Sequence, residues 1–342
     1  MKKMISVLAF VMLLGVLVAC AQENTPTNLY EREDVTLTFS VTSGAQTNEA
    51  QTGWTGGSRV EVTKTFKTNP GVVAIFAYDA LDILDTVGID QTSIVELGVP
   101  KNNLPIYLNH YKTDDTKNVG TLFIPDWDAL DLFMPDLIII GGRSAGSYDR
   151  LIEDYPYADI LDVSFVMGEY QEGMIRNANN LAKIFPTVAD AIEAELDAIL
   201  EEMETIKLSA QAHEALFIMV NGEALSFYGP HGRFAALYDE FGFIPADPRA
   251  EEGGSHGNVI GYEYVASVNP EILLLLDRGV ATGGSSSIDA VVNNQLIQNT
   301  QAGQYNHIFT LDPIAWYIST GGFQSTRQMI ADLTAVLDGL SS

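Results

Sequence analysis

Three arginines stand where buried strands are expected to end. Arg143 closes Gly141-Gly142-Arg143 after the apolar run Leu137–Ile140, and Arg278 follows Ile272–Leu276 and Asp277. Arg233 lies in Gly229-Pro-His-Gly-Arg233, beyond the run Ala215–Val220 and its turn. A guanidinium is a planar, permanently charged donor suited to oxyanions and aromatic faces. The chain has nine arginines and a net charge of −27, so three at strand ends suggest a local cationic pocket for an anion. The alternative is pairing with carboxylates, for which Asp277 is a ready partner of Arg278. His256, in the glycine-rich stretch Glu252–Asn258, and Tyr317, in Leu311-Asp-Pro-Ile-Ala-Trp-Tyr317, sit in segments that can face a cleft. A hydrogen-bonding histidine and a packed tyrosine are the simpler readings of both. The other histidines share no metal-ligand spacing. Gly142-Arg-Ser144-Ala-Gly146 also fits the nucleophile-elbow pattern after a strand, which would make Ser144 a hydrolase nucleophile with a later acid and His256 or His307. Arg143 argues against this, because its counterpart Arg278 has no serine elbow.

Elements able to position these residues are legible from Arg59 onward, where the chain reads as α/β. Val72–Phe76, Leu137–Ile140, Ala215–Val220 and Ile272–Leu276 are nearly continuous apolar runs, which suit strands buried on both faces of mainly parallel sheets. Between the halves lies a long amphipathic segment, about 188–209, with Thr187 as its expected N-cap. Val188, Ile192, Leu196, Ile199, Met203 and Ile206 form its apolar face. The expected organisation is two α/β lobes, 59–180 and 211–342, joined by a connecting helix within 181–210. The lobes share an internal echo: Asp128 and Glu263, Pro135 and Pro270, and Arg143 and Arg278 are each 135 residues apart. Each copy reads as an acid-led helix, a proline turn, a buried strand and an arginine at its carboxyl end, where open α/β sheets bind ligands.

Of the 342 residues, 46% are hydrophobic and 18% charged, a globular composition, and the acidic excess excludes nucleic-acid binding. Cys20 is the single cysteine, so intramolecular disulfides and cysteine-based zinc or redox sites are excluded. Lys2 and Lys3 precede the apolar run Ile5–Val18, too short to span a bilayer comfortably, which ends in Leu17-Val-Ala-Cys20. Residues 1–19 therefore read as a signal peptide ending in a lipobox-like sequence, with Cys20 the expected lipidation site. The polar stretch 20–58 reads as a solvated tether, within which Val35–Val41 alternates like a short strand.

From about Val60 to the C-terminus the chain resembles the ferric-siderophore substrate-binding lipoproteins of bacterial ABC transporters, particularly their catecholate-binding branch. The segments carrying the resemblance include Asn69-Pro-Gly-Val-Val, Gly98-Val-Pro-Lys-Asn-Asn-Leu-Pro105, Pro135–Arg143, Gly232-Arg-Phe234, Ser255-His-Gly257, Asp277-Arg-Gly279 and Leu311–Tyr317. It implies a class III binding-protein fold and no enzymatic activity. The implied cargo is an anionic Fe(III)–catecholate siderophore complex, with another anionic or cobalamin-like ligand as the alternative. It places Arg143, Arg233 and Arg278 at the catecholate oxygens, and His256 and Tyr317 where some members ligate the iron directly. Asp128 and Glu263 match paired acids that dock on the permease dimer, which works with its ATPase; Asp128 stands where the family usually has Glu. For both acids, favourable interaction with a helix N-terminus is the plainer reading. The implied location is the cell envelope, at the membrane through a lipid anchor.

Overall fold

A computed structural model describes residues 30–48, 50, 52–247 and 257–340. Cys20 and its leader lie outside the described residues.

Two strands come first. β1 (Asp34–Thr47) and β2 (Trp54–Lys67) form an antiparallel hairpin in which Asp34 lies opposite Lys67 and Thr47 opposite Trp54. The tether expected over 20–58 therefore does not hold for this part of it. The polar residues that suggested solvation are one side of an alternating strand, whose other side buries Leu37, Phe39 and Val41, with Phe66 from β2. Burying each such side chain is worth roughly 1.5–3 kcal/mol, enough in sum to hold the hairpin on the body.

The first lobe is built on β3 (Val72–Ile75), β4 (Glu96–Val99), β5 (Lys117–Asn118), β6 (Leu137–Ile140) and β7 (Asp159–Asp162). They form an all-parallel sheet in the order β5-β4-β3-β6-β7, with Val73 beside Leu97 on one side and Leu137 on the other. All four residues of β6 are buried, as its unbroken apolar sequence requires.

The second sheet is mixed. β8 (Glu214–Asn221) pairs antiparallel with β9 (Ala224–Tyr228) and parallel with both β10 (Ile244–Pro245) and β12 (Ile272–Asp277). β11 (Asn258–Ile260) and β13 (Ile308–Leu311) complete the order β11-β9-β8-β12-β13.

The connecting helix spans Ala189–Ala210 and buries Ile192, Leu196, Ile199, Met203 and Ile206, the face expected from periodicity. Thr187 does not cap it. That residue lies inside a 3-10 turn, Pro186–Val188, and the helix starts without a side-chain cap. The C-terminal helix Phe323–Leu340 packs along the connecting helix and reaches back to the first-lobe helix Tyr78–Thr86. There the buried Asp82 carboxylate accepts from the Gln324 N–H at 2.8 Å and the Ser325 N–H at 3.0 Å, stitching the chain's end to the first lobe.

The echo in the sequence is an echo in space. Helices Trp127–Phe133 and Tyr262–Val268 have equal length, and both end at left-handed residues, Met134 (φ 50°) and Asn269 (φ 54°). The acids that follow brace the neighbouring strand in each lobe. Asp136 accepts from the Gly71 N–H at 2.8 Å, and Glu271 from the Glu214 N–H at 3.1 Å.

Candidate functional site: an arginine cluster around Tyr317

β6 and β12 deliver two of the arginines in the same way. After β6 the chain turns through Gly142, whose φ of +40° disfavours a side chain, and Arg143 follows. After β12, Asp277 caps a short turn by accepting from the Val280 N–H at 3.1 Å and the Ser287 N–H at 2.9 Å. The carboxylate expected as a partner for Arg278 is thus committed to backbone. Among the described residues no carboxylate lies within ion-pair distance of Arg143, Arg233 or Arg278.

All three converge on Tyr317 instead. The helix Pro313–Tyr317 is started by Asp312, which accepts from the N–H groups of Ile314 (2.9 Å) and Ala315 (2.8 Å). Trp316 is fully buried and donates its indole N–H to Asp332 at 2.9 Å, so that Tyr317 lines the cleft. Its backbone carbonyl accepts from Arg143 Nη2 at 2.8 Å and from Arg233 Nη2 at 2.9 Å, and its phenol oxygen accepts from Arg278 Nε at 3.0 Å. The guanidinium carbons of Arg233, Arg143 and Arg278 lie 4.1, 5.1 and 5.9 Å from the ring centroid.

These contacts set the charges. Burial would raise the Tyr317 phenol, but the Arg278 hydrogen bond and the three nearby cations outweigh it and hold it below the ordinary tyrosine value. Arg143 is lowered, first by burial and then by the charge of Arg233. A neutral carbonyl anchor positions the Arg143 and Arg233 guanidiniums without cancelling their charge, which leaves an anion-binding field in a shielded cleft.

The cluster opens into a cavity of about 810 Å³. The first lobe contributes Arg143, Asp79 and the segment 163–168, and the second contributes Arg233, Ala236 and Tyr317. Hairpin residues, among them Asn48, Thr52 and Trp54, form a further wall that the sequence reading missed. Its signal was present: Val35–Val41 alternates, β2 carries Val60 and Val62 two apart, and Gly, Asn and Thr fill the turn between them. The cavity suits a ligand of drug size or somewhat larger. Partly buried Asp79 lines it, and burial is the main cause raising its carboxyl to about 7.

The other candidates divide. Asp128 and Glu263 are exposed, each the second residue of its helix, and Asp126 rather than Asp128 supplies the cap of the first. Ser144 is fully buried, with its hydroxyl 3.2 Å from both the carbonyl and the N–H of Gly141. His256 lies outside the described residues. Among the described residues no group of three His, Cys, Asp or Glu side chains forms a metal site.

The sequence pattern of the periplasmic binding protein family matches residues 73–315. The chain belongs to that family. Its fold is the class III arrangement of two lobes and a connecting helix. The petrobactin-binding protein YclQ of Bacillus subtilis is 35% identical over 80% of this chain and 83% of its own. The crystal structure of YclQ superposes with a TM-score of 0.74, covering 82% of this chain and 95% of that one. The periplasmic catecholate-siderophore binding protein VctP of Vibrio cholerae is 33% identical, with a TM-score of 0.73 over 80% of this chain and 96% of its own. The ferric-anguibactin-binding protein FatB of Vibrio anguillarum is 27% identical over 74% of this chain and 80% of its own. The match of the family pattern begins after the hairpin.

Proposed function

We propose that this family member is the substrate-binding component of an iron-siderophore ABC importer, and that its cargo is an anionic ferric catecholate held between the lobes. The observation that carries this reading is the trio Arg143, Arg233 and Arg278, unpaired with any carboxylate among the described residues and gathered on one tyrosine, which with Arg143 and Arg233 lines a cavity large enough for a siderophore. Catecholate oxygens are delocalised hard anions, which guanidinium forks bind well. The names of YclQ, VctP and FatB, each a siderophore-binding protein, support the same class of ligand. Iron arrives with the ligand. Where the ligand leaves Fe(III) coordination open, Tyr317 supplies a hard phenolate donor and His256 an imidazole. The chain holds its cargo and does no chemistry on it, and the buried, backbone-bonded hydroxyl of Ser144 accords with that.

Delivery requires a permease. Asp128 and Glu263, exposed at equivalent positions of the two lobes, are suited to docking on cationic residues of its dimer. Cys20 carries the lipid that keeps the protein at the membrane. None of the helices among the described residues is long and apolar enough to cross a bilayer.

Titration of ferric catecholate into single Arg143→Ala, Arg233→Ala and Arg278→Ala proteins tests the cargo. Each loses a hydrogen-bonding cation, so each is expected to weaken binding by about 1.5–3 kcal/mol, or roughly ten- to hundredfold. A neutral ferric hydroxamate is expected to bind poorly to wild type. Unchanged affinity in all three variants would place the ligand elsewhere.

A further inference from the structure

The hairpin stands before the residues that the family pattern covers, yet it is built into the cleft. Four anchors fix it to the first lobe. Arg59 Nη1 lies 3.1 Å from the buried carboxylate of Asp162, the Gly44 N–H donates to Asp149 at 2.6 Å, and the Lys67 N–H donates to Asp159 at 2.8 Å. The fourth is at the cavity. Trp54, the first residue of β2, donates its indole N–H to the Phe123 carbonyl at 2.7 Å. Its side chain lies against Gly146, where an added Cβ would come within 2.4 Å of the indole Cγ. That contact accounts for the second glycine of Gly142-Arg-Ser-Ala-Gly146, the pattern that had suggested a nucleophile elbow. Trp54 is only partly buried, and it lines the cavity together with Phe123, which is 41% exposed. Phe123 in turn lies 6.0 Å from the Arg143 guanidinium. A band of aromatic surface thus continues outward from the arginine cluster, and its outer member comes from the hairpin.

We propose that the β1–β2 hairpin forms an aryl subsite, in which Trp54 stacks on an aromatic arm of the bound complex reaching past the arginines, so that the hairpin sets which ligands the cleft prefers. This rests on the reading of the cleft as a ferric-catecholate site. An indole offers a large, flat, rigid surface at low entropic cost, and aromatic pairs prefer offset-stacked or edge-to-face contact. A compact complex that ends at the arginine cluster would not reach it.

The test compares two probes, the ferric complex of a large macrocyclic triscatecholate and the ferric complex of 2,3-dihydroxybenzoate. Trp54→Ala is expected to weaken the large complex about five- to tenfold and to change the small one by less than about twofold. Gly146→Ala displaces the indole from the other side and is expected to reproduce that pattern, whereas Trp54→Phe retains most of the preference. Circular dichroism and thermal melting establish that each variant is folded. Arg233→Ala separates the subsite from the reading beneath it. If Arg233→Ala weakens both probes while Trp54→Ala and Gly146→Ala bind like wild type, the arginine site stands and the aryl subsite is overturned. Equal loss of both probes in Trp54→Ala would reduce the indole to general support and also overturns it. If neither Arg233→Ala nor Trp54→Ala changes binding of either probe, the cleft reading itself fails, and the subsite with it.

Discussion

At the scale of single residues, the site is organised by how its cations are held. A guanidinium paired with a carboxylate has spent its field on its partner, whereas one held by a carbonyl keeps it. Tyr317 performs that holding for Arg143 and Arg233 through its backbone, and it engages Arg278 through its phenol. One consequence can be tested at a single oxygen. Tyr317→Phe removes the hydroxyl but preserves the ring, its packing and the carbonyl that anchors two arginines. With a tetradentate ferric catecholate, two coordination positions remain open and the phenolate can enter one. The variant is then expected to lower affinity and shift the visible charge-transfer band, and the effect should fade as pH falls, because protons compete with iron for the phenolate. With a hexadentate ligand the variant should match wild type. Identical spectra for the two proteins with the tetradentate complex would refute phenolate coordination.

At the scale of elements, the repeated unit of helix, left-handed turn, buried strand and arginine puts a cation of the Tyr317 cluster and an exposed acid at the same separation in both lobes. Asp128 and Glu263 lie at the exposed starts of their helices, away from the cavity lining. Reversing both charges, as Asp128→Lys with Glu263→Lys, is therefore expected to abolish iron uptake in cells while leaving ferric-catecholate affinity within about twofold. Undiminished uptake would mean that the echo serves the fold alone. The same unit shows why so much was legible. The run Leu137–Ile140 is strand β6 end for end, and Ile272–Leu276 lacks only Asp277 of β12, because a strand buried on both faces needs an unbroken apolar sequence. The arginines after them could be picked out because strand ends carry sites. The hairpin was hidden for the opposite reason. Half its residues face water, so its composition imitates a tether, and its value to the site lies in contacts such as Trp54 with Gly146, 92 residues apart in sequence. Thr187 misled because a good capping residue does not cap when the chain first takes a 3-10 turn.

At the scale of the whole molecule, a net charge of −27 must be reconciled with the proposed anionic cargo and with the carboxylates buried inside. Part of the reconciliation is protonation. Burial is the leading cause that raises Asp79 to about 7 and Asp82 to about 6, the latter despite hydrogen bonds from Gln324 and Ser325. Asp159, Asp162, Asp239, Glu240 and Asp332 are displaced upward as well, each chiefly by burial, whereas at Asp277 burial is outweighed by hydrogen bonds from the Ser287 and Val280 backbone and the Ser286 side chain, which hold it down. Between the usual carboxylate range near 4 and these raised values, the folded chain binds protons that the unfolded chain releases. Their contribution to stability is full below that window and is lost as pH rises through it. Self-repulsion, which grows as the remaining acids ionise, acts in the same direction. The melting temperature is therefore expected to rise as pH is lowered from 8 toward 5, and Asp79→Asn, which removes one raised carboxyl, should flatten the profile between about pH 5 and 7. The same variant bears on the cargo, since an ionised Asp79 in the cavity opposes an anion there. At pH 8 Asp79→Asn should bind ferric catecholate more tightly than wild type, and near pH 6, where Asp79 is already largely neutral, the two should converge. An equal affinity ratio at both pH values would show that Asp79 does not sense the ligand, and a melting temperature that climbs toward pH 8 would show that carboxylates stabilised by their donors, as Asp277 is, outweigh those displaced by burial.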